Sequence, residues 1–174
     1  MKFAFIVDPL DKLKAYKDSS VFMMREAAKR GHEVHAFEAK HMAMLSGNVT
    51  ALASKISVNA DNHDWYKVEG STETRLADFD AVLMRKDPPF NQEYLYSTLL
   101  LELAEKQGAR IVNRARSLRD YNEKLGTAKF PQFTPPTLVT QSMERVHHFI
   151  DEHKDVIVKK LDGMGGTSIF RVRA

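Results

Sequence analysis

The 174-residue sequence contains no cysteine, which excludes disulfides, zinc thiolate sites and a thiol nucleophile together. Long apolar runs are also missing. The N-terminal stretch Phe3–Val7 is closed by Asp8 and is too short for a signal-peptide core, and nothing downstream approaches a transmembrane span. A cytoplasmic location is the resulting expectation. No run of like charges forms a binding arm, and the formal net charge is only +3, so neither nucleic acid nor membrane is an expected partner. There is no Gly-x-Ser-x-Gly elbow for an acyl-enzyme and no His-Glu-x-x-His pair. His147 and His148 point about 100° apart on a helix and His153 has no partner at i and i+4, so these residues read as a solvated face. Repeats and low-complexity segments are absent. What remains, with 43% hydrophobic and 28% charged residues, is globular material sufficient for one full domain and part of another.

Glycine is sparse, eight in all, yet Gly163, Gly165 and Gly166 fall within four residues. They sit between two strand-like runs, Val156–Leu161 and Ile169–Val172. A Walker loop needs a lysine after Gly166, and a Rossmann fingerprint needs a third glycine where Ser168 stands; neither is present, and no helix follows. Two readings stay open: an ordinary β-turn, or a hairpin lid whose backbone N–H groups approach a polyphosphate above Lys159.

The first part of the chain alternates strands and helices. Phe3–Val7 has the continuous apolar character of a strand buried on both faces, and Glu33–Phe37 is a shorter second strand. Between them Asp18, Ser19 and Ser20 offer N-cap oxygens, Val21, Met24, Ala27 and Ala28 share one face, and Gly31 ends the helix. Residues 48–70 break the rhythm as a hairpin excursion, with Val49–Val58 as strand and Asn59–His63 as loop. A second unit follows: Ala81–Met84, a helix over Gln92–Lys106 with Tyr96, Leu99, Leu100 and Leu103 as its buried stripe, and Arg110–Asn113. The pattern predicts an α/β fold with a doubly wound, mainly parallel sheet.

In such sheets ligands bind beyond the carboxyl ends of the strands, a rule that selects Asp8, Arg85–Pro89, Asn113 and the helix start at Asp18. Two prolines immediately after Arg85–Lys86–Asp87 stiffen that loop, and a rigid loop suits the planar arginine fork to a carboxylate or phosphate. Asp18 is balanced between a plain N-cap and part of an anion site, with Ser19 and Ser20 beside it. Asp8 reads equally as a strand end and Asn113 as a turn residue. Ser117–Asp120 is a capping-box variant that predicts a helix carrying Leu118, Tyr121, Leu125 and Ala128 as its core face, with Lys124 on the other side. Pro131, Pro135 and Pro136 mark a linker, followed by a short strand at Leu138–Val139 and a helix from Ser142 to about Lys154 with Met143, Val146, Phe149 and Ile150 inward.

Several of these segments together resemble the bacterial glutathione synthetases, a family of ATP-grasp ligases. The resemblance rests on Ile6–Pro9, Lys17–Ser20, Leu83–Phe90 with its Arg-Lys-Asp-Pro-Pro-Phe run, Val112–Asn113, Ser117–Asp120 with Asn122–Leu125, and Leu161–Gly166 continuing to Ser168–Val172. It implies ATP- and magnesium-dependent ligation of γ-L-glutamyl-L-cysteine to glycine through an acyl phosphate. By the same resemblance Arg85 and Lys159 would be catalytic. Lys124, Lys159 and the loop residues Gly163, Met164, Gly165, Gly166, Thr167 and Ser168 would contact the nucleotide, and Asp18, Ser19, Arg85 and Asn113 would contact the dipeptide. A homo-oligomer is also implied.

The expected organisation is an N-terminal substrate-binding domain over residues 1–122 and the first, incomplete α+β subdomain of an ATP-grasp fold over 123–174. Members of the family continue further, so the expectation is a portion of the ligase that is inactive alone. Its magnesium ligands are expected beyond residue 174, and none is assigned within the chain. A stand-alone module that holds a dipeptide or nucleotide without turnover is the alternative.

Overall fold

A computed structural model describes residues 1–87, 89–163 and 165–174. They fall into two compact units: Met1–Asp87 with Gln92–Arg119, and Asp120–Ala174 with the short stretch that ends at Asn91.

The first unit is built on one seven-stranded sheet. Its elements are β1 (Lys2–Ile6), α1 (Ser19–Lys29), β2 (Glu33–Phe37), β3 (Met42–Leu45), β4 (Asn48–Val58), β5 (Tyr66–Arg75), β6 (Ala81–Met84), α2 (Gln92–Lys106), β7 (Ile111–Val112) and α3 (Ala115–Asp120). The strand order is β3-β4-β2-β1-β6-β7, with β5 paired to β4. β1 pairs in parallel with β2 and β6, and β6 with β7. These four strands are the doubly wound core of the expectation. The excursion is wider than the 48–70 read from sequence: β3, which was not expected, β4 and a β5 that runs on to Arg75 add three antiparallel strands to the same sheet, so the sheet as a whole is mixed.

Alternation along β1 explains why its apolar run is continuous. Ala4 and Ile6 enter a core with Val82, Met84, Leu101 and Ile111, while Phe5 and Val7 face the opposite way, against Val21, Met24 and Trp65. A strand covered on both faces needs apolar residues at every position. α1 begins where the Asp18 carboxylate accepts the N–H groups of Ser20 and Val21, and Gly31 closes it at φ +77°.

α2 spans the expected residues, and Leu100 and Leu103 of the expected stripe pack half-buried against the core, but the fully buried positions are others. Ser97, Thr98, Leu101 and Ala104 face the core, whereas Tyr96 is 64% and Leu99 44% exposed. The helix is apolar almost all round, so residue type alone did not select its inner face. Small buried residues let it lie close to the sheet, and the Ser97 and Thr98 hydroxyls satisfy themselves on the Glu93 and Leu95 carbonyls at 2.8 and 2.7 Å.

α3 is shorter than expected and stops at Asp120. The Asn122 carboxamide oxygen accepts the Lys124 and Leu125 N–H groups at 3.2 and 2.8 Å, a local turn that competes with helix continuation. A 3-10 turn, Leu125–Lys129, follows instead, and Tyr121 and Leu125 are exposed rather than a core face.

The second unit pairs β8 (Asp155–Lys159) with β9 (Ile169–Arg173) in an antiparallel hairpin, beside α4 (Met143–His153). Ser142 caps α4 through the Arg145 N–H. Val146, Phe149 and Ile150 are half-buried as expected, but Met143 is 65% exposed. Leu138–Val139 is not a strand and has no ladder partner among the described residues.

Candidate functional site

The carboxyl ends of β1 and β6 lie side by side, because Ile6 pairs with Met84 and the Arg85 N–H donates to the Ile6 carbonyl at 2.8 Å. β7 extends the same edge, with Leu83 opposite Val112, so Asn113 follows at the level of Met84. The peptide joining Val112 to Asn113 is cis. This edge gathers Asp8, Arg85, Lys86 and Asn113, four of the positions selected from sequence.

The two adjacent cations have different fates. Lys86 Nζ is 2.8 Å from Asp8 Oδ1, and the other Asp8 oxygen accepts the Asp87 N–H at 3.1 Å. One carboxylate thereby neutralises Lys86 and clamps the loop to the end of β1. Arg85 turns instead to α1: Nε donates to Ser20 Oγ at 3.2 Å and Nη2 to Ser19 Oγ at 2.7 Å. Both partners are neutral hydroxyls, and Arg85 has no carboxylate partner among the described residues. An exposed guanidinium held in place without a counter-ion is a receptor for an anion.

Asp18 is committed on one side. Its Oδ1 accepts Ser20 and Val21 N–H at 2.7 and 3.1 Å, so those amides are not free donors for an external anion. The acidic cap immediately precedes Ser19 and Ser20, the two residues that hold Arg85. Ser20, which the sequence places with Ser19 beside the candidate anion site, takes the Arg85 Nε–H although it is buried. Its signal was a hydroxyl at a position continuous with the apolar face of Val21, Met24 and Ala27.

The second unit holds a separate cleft of about 940 Å³ lined by Lys124, Lys159, Gly163, Gly165, Gly166 and the α4 face, among others. That volume falls in the range of small-molecule and cofactor sites. Lys159 ends β8 opposite Ile169, the last ladder pair before the glycine loop. It is exposed and has no ion-pair partner among the described residues. Lys124 Nζ donates to the Glu123 carboxylate and to the Gly163 carbonyl, joining the cleft floor to the loop. Gly165, Gly166 and Ser168 have φ of +59°, +81° and +58°, the left-handed region that requires glycine or strains another residue. A Cβ on Gly163 would stand 3.1 Å from the Thr167 carbonyl, so this glycine is needed for close packing. Thr167 is exposed, and Met164 lies outside the described residues. No group of three or more His, Cys, Asp or Glu side chains able to hold a metal ion occurs among the described residues.

His147 and His148 are exposed, and the His153 ring packs on Phe149 at 4.3 Å. Among the described residues no helix is long and apolar enough to cross a membrane.

Comparison with solved structures defines the class. The fold matches D-alanyl-alanine synthetase A from Vibrio cholerae with a TM-score of 0.54 at 11% identity, covering 99% of this chain and 52% of that one. It matches the ATP-grasp ligase PsnB, solved with minimal precursor, Mg and ADP, with a TM-score of 0.52 at 19% identity, covering 98% and 58%. The architecture is that of ATP-grasp ligases. Residues 1–119 match the family described as prokaryotic glutathione synthetase, N-terminal domain, and residues 123–174 its ATP-grasp domain; the chain belongs to the prokaryotic glutathione synthetase family. The glutathione synthetase of Nitrosomonas europaea is 51% identical over 176 residues, covering 99% of this chain and 55% of the relative. That of Escherichia coli O6:H1 is 46% identical over 173 residues, with the same coverage. The chain thus spans about half the length of the curated relatives it matches.

Proposed function

We propose that the chain supplies the dipeptide-binding domain, residues 1–122, and the first part of the ATP-grasp domain, residues 123–174, of an enzyme that joins γ-L-glutamyl-L-cysteine to glycine. The observation that carries the dipeptide assignment is the uncompensated Arg85 guanidinium at the strand ends, braced by Ser19 and Ser20. The γ-glutamyl end of the substrate bears both an α-carboxylate and an α-ammonium. Arg85 complements the first and the neighbouring Asp18 carboxylate the second, with Ser19 and Asn113 completing the polar rim.

ATP transfers its terminal phosphoryl group to the cysteinyl carboxylate, forming an acyl phosphate and ADP. The amine of glycine then attacks the acyl carbon, and phosphate departs as the amide forms. Every reactant is anionic near the transferred group, so cations and backbone donors provide the main stabilisation of the transition state. Lys159 and Lys124 supply charge to the nucleotide phosphates, and the loop from Gly163 to Ser168 covers them with N–H groups. Lys124 donates to the Gly163 carbonyl and exchanges that partner for a phosphate oxygen when the nucleotide binds. Magnesium accompanies ATP in this chemistry, but the described residues do not fit a protein-held metal site. We also place the protein in the cytoplasm as a homo-oligomer.

The test is kinetic. In this sequence joined to the remaining segment of a relative, Arg85→Ala is expected to raise the dipeptide KM about 10- to 100-fold, the loss of a charged hydrogen-bonding partner, with little change in the ATP KM. Lys159→Met should do the reverse. An unchanged dipeptide KM in Arg85→Ala would remove the basis of the assignment.

A further inference from the structure

We propose that Ser20 is a positioning residue for the candidate dipeptide site: its hydroxyl aims the Arg85 guanidinium so that an incoming carboxylate is met by the two Nη atoms. This rests on the reading of Arg85 as the dipeptide-binding arginine.

Ser20 is only 4% exposed, on the helix face otherwise occupied by Val21, Met24 and Ala27. A hydroxyl withdrawn from water is unfavourable unless it is hydrogen-bonded, and here the Arg85 Nε–H meets it at 3.2 Å. The main chain of Ser20 is fixed as well, since its N–H is held by Asp18 at 2.7 Å. The acceptor therefore has little freedom to move, and neither has the arginine edge that points at it.

Ser20 and Ser19 together occupy the Nε–Nη2 edge of Arg85. That edge is the fork by which arginine commonly takes a carboxylate side-on. With it engaged, Nη1, which has no protein acceptor among the described residues, and the second hydrogen of Nη2 remain for the ligand. The opposite side of the loop is held independently, because Asp8 binds both Lys86 and the Asp87 N–H. Ser20 thus determines the aim of the arginine while Asp8 determines the place of its backbone. Lysine at position 85 could not reproduce this, having neither the planar fork nor an Nε–H.

A double-mutant cycle in this sequence joined to the remaining segment of a relative tests the proposal, with γ-glutamylcysteine titrated calorimetrically into the unaltered protein, Ser20→Ala, Arg85→Ala and the double variant. Ser20→Ala removes one oxygen and is expected to weaken binding about three- to tenfold. In the Arg85→Ala background it should have no further effect. Ser20→Thr, which keeps the acceptor oxygen, should restore most of the affinity. Exchange of the Arg85 Nε–H with solvent, followed by NMR without ligand, should accelerate in Ser20→Ala and not in Ser20→Thr. If Arg85→Ala weakens binding but Ser20→Ala does not, or if the two effects add fully, the positioning role is wrong while the reading of Arg85 stands. If the unaltered protein does not bind, or Arg85→Ala binds equally well, the reading fails and the inference with it.

Discussion

Arg85 and Lys86 are neighbours of the same charge, yet only one is left for a ligand. The difference lies in Asp8, 78 positions from Lys86 in sequence, and such a distant pairing leaves no local trace. The arginine-lysine run and its prolines were legible as an anion-binding loop; which cation stays free was not. Ser20 was legible as a cap oxygen beside a candidate anion site, but its bond to Arg85, 65 positions away, left no local trace either. His35 illustrates a residue whose chemistry is set mainly by burial. Its ring nitrogens are buried without hydrogen-bond partners, and it packs edge-on to Phe79 at 5.3 Å. Desolvation holds its pKa below the ordinary histidine value; the Glu33 carboxylate, 3.5 Å away, partly opposes this, and the Lys2 and Lys55 charges reinforce it. A depressed folded-state pKa means that the unfolded chain takes up the proton first as pH falls. Stability contributed by neutral His35 is therefore full above about pH 6.5 and is lost as pH falls through the lower folded value. Urea unfolding midpoints should drop more steeply from neutral to mildly acidic pH in the unaltered chain than in His35→Gln, and parallel pH profiles would refute the assignment.

At the scale of elements, strand positions were legible because buried strands carry dense apolar runs, and α1 because its cap, apolar face and closing glycine agree. α2 shows where that legibility stops. With Leu95, Tyr96, Leu99, Leu100, Leu101 and Leu103 distributed around it, periodicity does not single out one face, and close packing on the sheet chose Leu101 and Ala104. Leu101→Ala should destabilise the chain by about 2–5 kcal/mol, the range for a fully buried leucine. Leu99→Ala should change stability by about 0.5 kcal/mol or less. Equilibrium denaturation of the two variants decides the matter, and a larger loss at Leu99 would restore the stripe read from sequence. α3 ended early because a side chain, Asn122, satisfied the backbone donors that a longer helix would have used. Propensity along residues 117–130 carries no warning of it beyond the asparagine itself. The glycine loop was more transparent: Gly165 and Gly166 take up left-handed conformations that few other residues tolerate.

For the whole molecule, the glycine hairpin, the strand-end arginine and the proline-stiffened loop made the family recognisable, and the family matches along residues 1–119 and 123–174 bear out that recognition. The mixed character of the sheet was less visible, because the excursion reads as a hairpin from sequence and its union with the β2 edge is a long-range pairing. Under the proposed function this chain takes part in amide formation by carboxylate activation, with ATP as phosphoryl donor. Oxygen-18 transfer tests it most directly. γ-Glutamylcysteine labelled with oxygen-18 in both oxygens of its cysteinyl carboxylate would be incubated with ATP, Mg²⁺, glycine and this sequence joined to the remaining segment of the Nitrosomonas europaea relative. One carboxylate oxygen should leave as the bridging atom of the acyl phosphate, so each phosphate released should carry one labelled oxygen and each glutathione should retain the other. Phosphate released without label, or ATP hydrolysed with no tripeptide formed, would contradict the account.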